Sequence, residues 1–233
     1  MQTSNAKTIA ARCSFIAAII SVVALISLHF ASPEFAPAWR MVSEYANGKF
    51  EWMLFIFFCC WGISSFGAVY FLWHEVDAVA AKLGVLLLFI SGTGEIMAAF
   101  FNVNHPQHGT AGTLGIPPFV IACLLISYHL RKKPGWIQEK GKLLLLSHLS
   151  WISLLLVAIT MIVMITGFKN AGIAIGPGQK PPAALPQGVT GLVGYANRLL
   201  ILVFISWLLF VSDRFLKIKT GEKTAGLRNA ITA

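Results

Sequence analysis

Six times along this chain an apolar run of about 20 residues recurs, the length a helix needs to cross roughly 30 Å of hydrocarbon at ~1.5 Å per residue. With 57% of its 233 residues hydrophobic and 12% charged, the chain carries too few charges for a water-soluble domain of this size. In lipid a backbone must satisfy its own hydrogen bonds, so such runs read as helices. The spans fall at Ile9–Ala31, Glu51–Trp73, Lys82–Phe101, Leu114–Leu130, Leu143–Gly167 and Val189–Phe215. The expected fold is all-α: one integral-membrane domain over residues 1–233, a bundle of six transmembrane helices. Lys7 and Arg12 precede the first run as in a signal peptide. That run is long, however, and ends in His29-Phe30-Ala31-Ser32-Pro33 without an Ala-x-Ala site, so a retained first helix is expected.

Thirteen of the eighteen Lys and Arg residues lie in the amino-terminal segment, the second and fourth loops and the carboxyl tail, against four on the other side (Arg40, Lys49, Lys169, Lys180). The positive-inside rule then puts both termini in the cytoplasm of a multi-pass cell (inner) membrane protein. The same distribution accounts for the net charge of +9. Basic residues beside apolar spans fix orientation and touch anionic lipid, so membrane lipids are the expected partners and nucleic acid is not. Trp52 and Trp73 bracket the second span as an aromatic belt would. Cys13, Cys59, Cys60 and Cys123 all sit in apolar runs, which argues against a disulfide framework or a zinc knuckle.

This orientation gathers the uncommon polar groups on the non-cytoplasmic side: Ser43-Glu44-Tyr45-Ala46-Asn47-Gly48, the knot from Asn102 to Gly109, and a Gly/Pro-rich loop from Phe168 to Gly188. That last loop, with Gly176-Pro177-Gly178 and Lys180-Pro181-Pro182, reads equally as a lid and as an exposed connector.

Two ionisable residues lie inside spans. Glu95 is seven residues below Asn102, roughly 10 Å deep, and Arg198 roughly 9 Å deep in the last span. Ser91, Gly92, Glu95, Ala98, Ala99 and Asn102 share one stripe of the third span, and Gly191, Gly194 and Arg198 one stripe of the last. Small side chains let helices approach, and a lone charge in lipid costs at least ~2.5–3.5 kcal/mol. Glu95 and Arg198 are therefore expected to meet or share a polar cavity between apposed third and sixth helices. The competing readings are a snorkelling arginine and a protonated glutamic acid.

His105 and His108 have a spacing that brings two imidazoles together on a helix, with Glu44 or Glu95 as a third ligand, but Pro106 opposes a helix there. Asn102 and Asn104 capping the third span, with the histidines at headgroups, is the plainer alternative. No metal and no cofactor are assigned. The expected pocket comprises Ser43, Glu44, Glu95, Asn102, Asn104, His105, His108 and Arg198. A fixed arginine beside imidazoles favours an anionic or zwitterionic headgroup, or a small polar molecule. Were there chemistry, Glu44 would be the base and His108 the acid, although Ser43-Glu44 is equally a helix start.

Three short signatures give the chain a family likeness. They are Ser43-Glu44 with Gly48 ahead of the second span, Phe101 to Asn104 followed by His108-Gly109, and a Gly-Leu segment leading to Arg198 and Trp207. Over nearly its whole length the chain resembles the bacterial and archaeal six-helix membrane family labelled domain of unknown function 998. The resemblance implies polar roles for Ser43, Glu44, His108, Gly109 and Arg198. Where the family often carries Phe-Pro-Thr-Asp, this chain has Phe101-Asn102-Val103-Asn104, and where a second histidine often follows the His-Gly pair, it has Gly112. Losing an acid and an imidazole weakens a metal-hydrolase reading. The label assigns no activity, and a fold alone does not specify one.

Several function classes stay open: a binding pocket for a lipid headgroup or small polar ligand, a lipid-active hydrolase or transferase, and a small transporter or structural or regulatory subunit. The run Leu86-Leu87-Leu88-Phe89-Ile90 below Glu95 offers a transported solute little, although Pro117-Pro118 is expected to bend the fourth span. No Walker sequence and no His-Glu-x-x-His motif is present.

Overall fold

The computed structural model of the chain describes the backbone of residues 2–173 and 182–232, and the side chains of 5–173 and 182–221. The description is all-helical, with no strand among the described residues. Its six long helices are α1 (Gln2–Ala31), α2 (Glu51–Trp73), α3 (Val79–Phe100), α4 (His108–Leu130), α5 (Lys140–Asn170) and α6 (Val193–Thr232). Each contains a segment long and apolar enough to cross a membrane. Trp52 and Trp73, at the two ends of α2, both face outward, as an aromatic belt requires.

The polar contacts between loops fall at two ends of the bundle, and the one that holds Lys7 of α1 and Arg214 of α6 is called proximal below. There Lys7 pairs with Glu75, Lys133 with Asp77 at 2.6 Å, and Arg214 holds the Gly135 carbonyl through Nε and Nη2. Gly135 adopts a φ of 83°, a left-handed conformation that glycine enters without steric cost. At the opposite, distal end, Asn104 Nδ2 donates to Asn47 Oδ1 at 2.8 Å and Arg40 Nη2 to the Pro182 carbonyl at 2.6 Å. Loop one therefore touches both loop three and loop five. The stretch Gly176-Pro177-Gly178 and Lys180-Pro181, read above equally as a lid and as an exposed connector, lies outside the described residues.

The expected apposition of the third and sixth helices is not what forms. α3 packs against α2 and α4, and α6 against α1, α2 and α5. The small stripe of α3 lies mostly on α2, where a Cβ on Gly92 would meet Ser65 and Phe66, while Gly94, off that stripe, makes the close approach to α4, because a Cβ there would run into the backbone nitrogen and Cα of Gly115. α4 begins at His108, six positions before the expected Leu114, and this added turn and a half carries Gly109 and Gly112. Pro117 and Pro118 lie inside α4.

With lipid tails as apolar as leucine, helices in a bilayer are held by packing and interhelical hydrogen bonds. Ser212 Oγ donates to Ser14 Oγ, which donates in turn to the Ser64 carbonyl, linking α6, α1 and α2. Trp207 Nε1 donates to Ser127 Oγ at 2.9 Å, linking α6 to α4.

Candidate functional site

The two ionisable residues expected to meet inside the bundle, Arg198 and Glu95, are both buried but have different surroundings. Arg198, on the first turns of α6, is wrapped by the first loop. Its Nε donates to His29 Nε2 at 2.6 Å, its Nη1 to the carbonyls of Arg40 (2.6 Å), Gly194 (3.0 Å) and Pro37 (3.2 Å), and its Nη2 to Tyr45 Oη at 3.1 Å. His29 Nδ1 lies 2.7 Å from the Leu25 carbonyl. A carbonyl can only accept, so Nδ1 carries the ring proton and Nε2 is the lone pair that receives Arg198. Gly194 makes the wrap possible, because a Cβ there would strike the carbonyls of Pro37 and Arg40. The amides of Gly194 and Tyr195, otherwise orphaned at the helix start, donate to Ala38 O.

Glu95 has none of these partners. Ser65 Oγ on α2 donates to its Oε2 at 2.6 Å, and Ser91 Oγ, one turn earlier on α3, lies 3.0 Å from its Oε1. The expected Glu95–Arg198 meeting does not occur. The helices that bear them are not packed together, and each finds its polar partners on nearer elements, the first loop for the arginine and the α2 and α3 serines for the acid.

Between α2, α3, α4, α6 and the 3-10 turn Val42–Asn47 lies a cavity of about 100 Å³, enough for several water molecules. Its wall is mostly apolar, with Phe58, Ile116, Leu200 and Ile201 among the lining, and its polar groups come from Ser43, Trp61, Glu95, His108 and Asn197. Asn197 is fixed because its Oδ1 accepts from the Val42 amide at 3.0 Å. His108, the first residue of α4, places Nδ1 2.8 Å from the Phe101 carbonyl. By the same reasoning as for His29, Nδ1 holds the proton and Nε2 of the neutral ring is an acceptor. Trp61 is 5% exposed and its Nε1–H has no hydrogen-bond partner. Phe58 and Ala98 also line a second cavity, of about 220 Å³, with Glu51, Trp52, Phe55 and Asn102.

Of the residues expected at the site, then, Ser43, Glu95 and His108 line one cavity and Asn102 its neighbour. Glu44 is held by its own turn: Oε1 accepts from the Met41 amide at 2.8 Å and Oε2 from Arg40 at 2.6 Å. Ser43-Glu44 does start a short helix, but the acid three residues in, and not the serine, reaches back to cap it. Asn102 Oδ1 accepts from the Asn104 amide, which turns the chain after α3. His105 is exposed and stacks on Phe101 with ring centroids 4.5 Å apart. Among the described residues no three His, Cys, Asp or Glu side chains come together as a metal would need. Sequence reasoning passed over Trp61 and Asn197, as well as His29 and Tyr45. Asn197 carried the available signal, an amide in the middle of an apolar span; a tryptophan in such a span reads as core.

The family model described as "Protein of unknown function (DUF998)" matches residues 15–212. The chain belongs to this family. Neither a curated protein nor a solved structure matches it. The match runs from α1 to α6, so both the Arg198 wrap and the Glu95 cavity fall within the DUF998 region.

Proposed function

We propose that this DUF998 protein sits in the cell (inner) membrane with both termini cytoplasmic, and that its distal cavity binds a lipid headgroup or small polar molecule at the outer leaflet. The excess of lysine and arginine at the proximal end supports the orientation. One observation carries the binding reading: side chains from four elements, Ser43, Trp61, Glu95 and His108, border a single cavity that is otherwise apolar. A few convergent polar groups in an apolar pocket are what ligand sites have in common. An anionic headgroup would require a free arginine, and Arg198 is committed to five acceptors of the protein.

Gly112 provides the test. It lines the cavity, and a Cβ built on it meets nothing within 4 Å, so Gly112→Leu fills the space without displacing the backbone. Gly109, with equally open surroundings but off the cavity lining, is the control. Native mass spectrometry of protein extracted with its lipids should show a co-purifying adduct lost in Gly112→Leu and kept in Gly109→Leu. An adduct unaffected by Gly112→Leu would place any binding elsewhere.

A second reading, a lipid-active hydrolase or transferase, rests on His108. The Phe101 carbonyl fixes its tautomer and leaves Nε2 as a base directed by the fold. It predicts turnover of bound lipid that His108→Ala abolishes while the adduct persists; accumulation of intact lipid in wild type would refute it.

A further inference from the structure

We infer that the ligand of this cavity is a neutral amphiphile bearing a hydroxyl group, in preference to a phosphate or a quaternary ammonium headgroup; this rests on the binding reading above. The loose hydrogen-bonding capacity of the cavity is what selects it. Trp61 Nε1–H is a buried donor without an acceptor, which in folded proteins calls for a water or a ligand. Asn197 has its oxygen occupied by the Val42 amide, leaving N–H donors. His108 Nε2 is the acceptor of the neutral ring, because Nδ1–H donates to the Phe101 carbonyl.

Glu95 adds no formal charge when its contacts are fully paired. Ser91 Oγ lies 2.6 Å from the Gly115 carbonyl and 3.0 Å from Glu95 Oε1. A hydroxyl has one proton, and the carbonyl can only accept it. Both contacts are complete hydrogen bonds when the carboxyl brings a proton of its own to Ser91, while its Oε2 accepts from Ser65. The cavity then presents N–H donors, the His108 lone pair and the Ser43 hydroxyl, which can donate or accept, with no cation in its lining. A hydroxyl matches the donors and the lone pair, accepting from an N–H and donating to His108. A phosphate, mono- or diester, finds no cation in the lining, and a phosphodiester also has no proton for His108. A quaternary ammonium has no donor, and the neutral acid gives it no counter-ion.

The experiment loads the full-length protein in nanodiscs with equal amounts of dioctanoylglycerol, dioctanoylphosphatidate and dioctanoylphosphatidylcholine and reads adducts by native mass spectrometry. The expected result is dioctanoylglycerol occupancy about tenfold above either phospholipid, lowered about tenfold by Trp61→Phe with phospholipid adducts unchanged. The indole ¹⁵N–H resonance of Trp61 in the wild type, assigned through its connectivity to the Trp61 backbone amide, should shift on dioctanoylglycerol addition. If Trp61→Phe does not fold, that shift alone decides. Phospholipid adducts that dominate yet disappear in Gly112→Leu would overturn the hydroxyl assignment and leave the cavity as the site. Adducts of every lipid unchanged by Gly112→Leu would overturn the binding reading itself.

Discussion

Arg198 and Glu95 are both buried, both on membrane-spanning helices and at similar depth from the distal end, yet they belong to different kinds of place. Arg198 spends its donors on three carbonyls, a phenol and an imidazole, and lies outside the cavity lining. Glu95 is held by two serines and borders space. The expense of burying a charge explains why each must have partners. It does not say whether those partners are the protein's own or a ligand's. Saturation by backbone marks an architectural residue, whereas an open cavity lined by both the acid and a tryptophan with an unpaired donor marks a place for something to bind.

The largest effect expected from this contrast is that of Arg198→Leu, which strands five acceptors of a buried arginine at once. A loss of about 3–5 kcal/mol, the scale for breaking a buried charged network, should appear as a collapse of folded yield or a steep fall in thermal unfolding temperature. Should Arg198→Leu cost less than Glu95→Gln, the two roles would have to be exchanged. Next comes Gly94→Ala, where the added methyl meets the Gly115 backbone; overpacking of about 1–3 kcal/mol would separate α3 from α4 and disturb one wall of the cavity. Unchanged stability there would mean that these helices do not meet as described. Glu95→Gln should cost about 1 kcal/mol or less, since an amide still accepts from Ser65 and donates to Ser91, and it should leave the Arg198 wrap intact.

The smallest effect belongs to an ion pair outside both regions. Asp77, exposed between α2 and α3, accepts from Lys133 at 2.6 Å and lies 3.1 Å from His129 Nε2. The hydrogen bond from Lys133, aided by the nearby positive charges, holds its carboxyl below the usual carboxylate range. A folded-state value below the unfolded one stabilises above the ordinary carboxylate range, and that contribution fades as pH falls through the depressed value. Asp77→Asn should remove that acid-side slope of the unfolding temperature, salt should mute it in the wild type, and the distal end should not respond. A distal response would show that the two ends are coupled.

Much of the architecture is legible from apolar run length alone: α2 has the bounds Glu51–Trp73 that its sequence suggests. The start of α4 is not, because His108-Gly109-Thr110-Ala111-Gly112 has the composition of a loop. It is helical through the close α3–α4 contact at Gly94 and Gly115, which no local pattern reports. The height of Glu95 and Arg198 could be counted along each helix. Which helix each one faces depends on the order of packing, and a wheel drawn for one helix is silent about its neighbour. Ser43, Glu95 and His108 stand out by their chemistry, but their gathering around Trp61 and Asn197 is a property of the bundle.

The most direct measurement is thiol labelling of Gly112→Cys in intact cells with a membrane-impermeant reagent, the modified site being located by mass spectrometry so that the four native cysteines need not be removed. A cavity open at the distal, outer-facing end predicts labelling from outside, suppressed by the lipid that occupies it. Modification seen only after the cytoplasmic face is exposed, or none under any condition, would contradict the account.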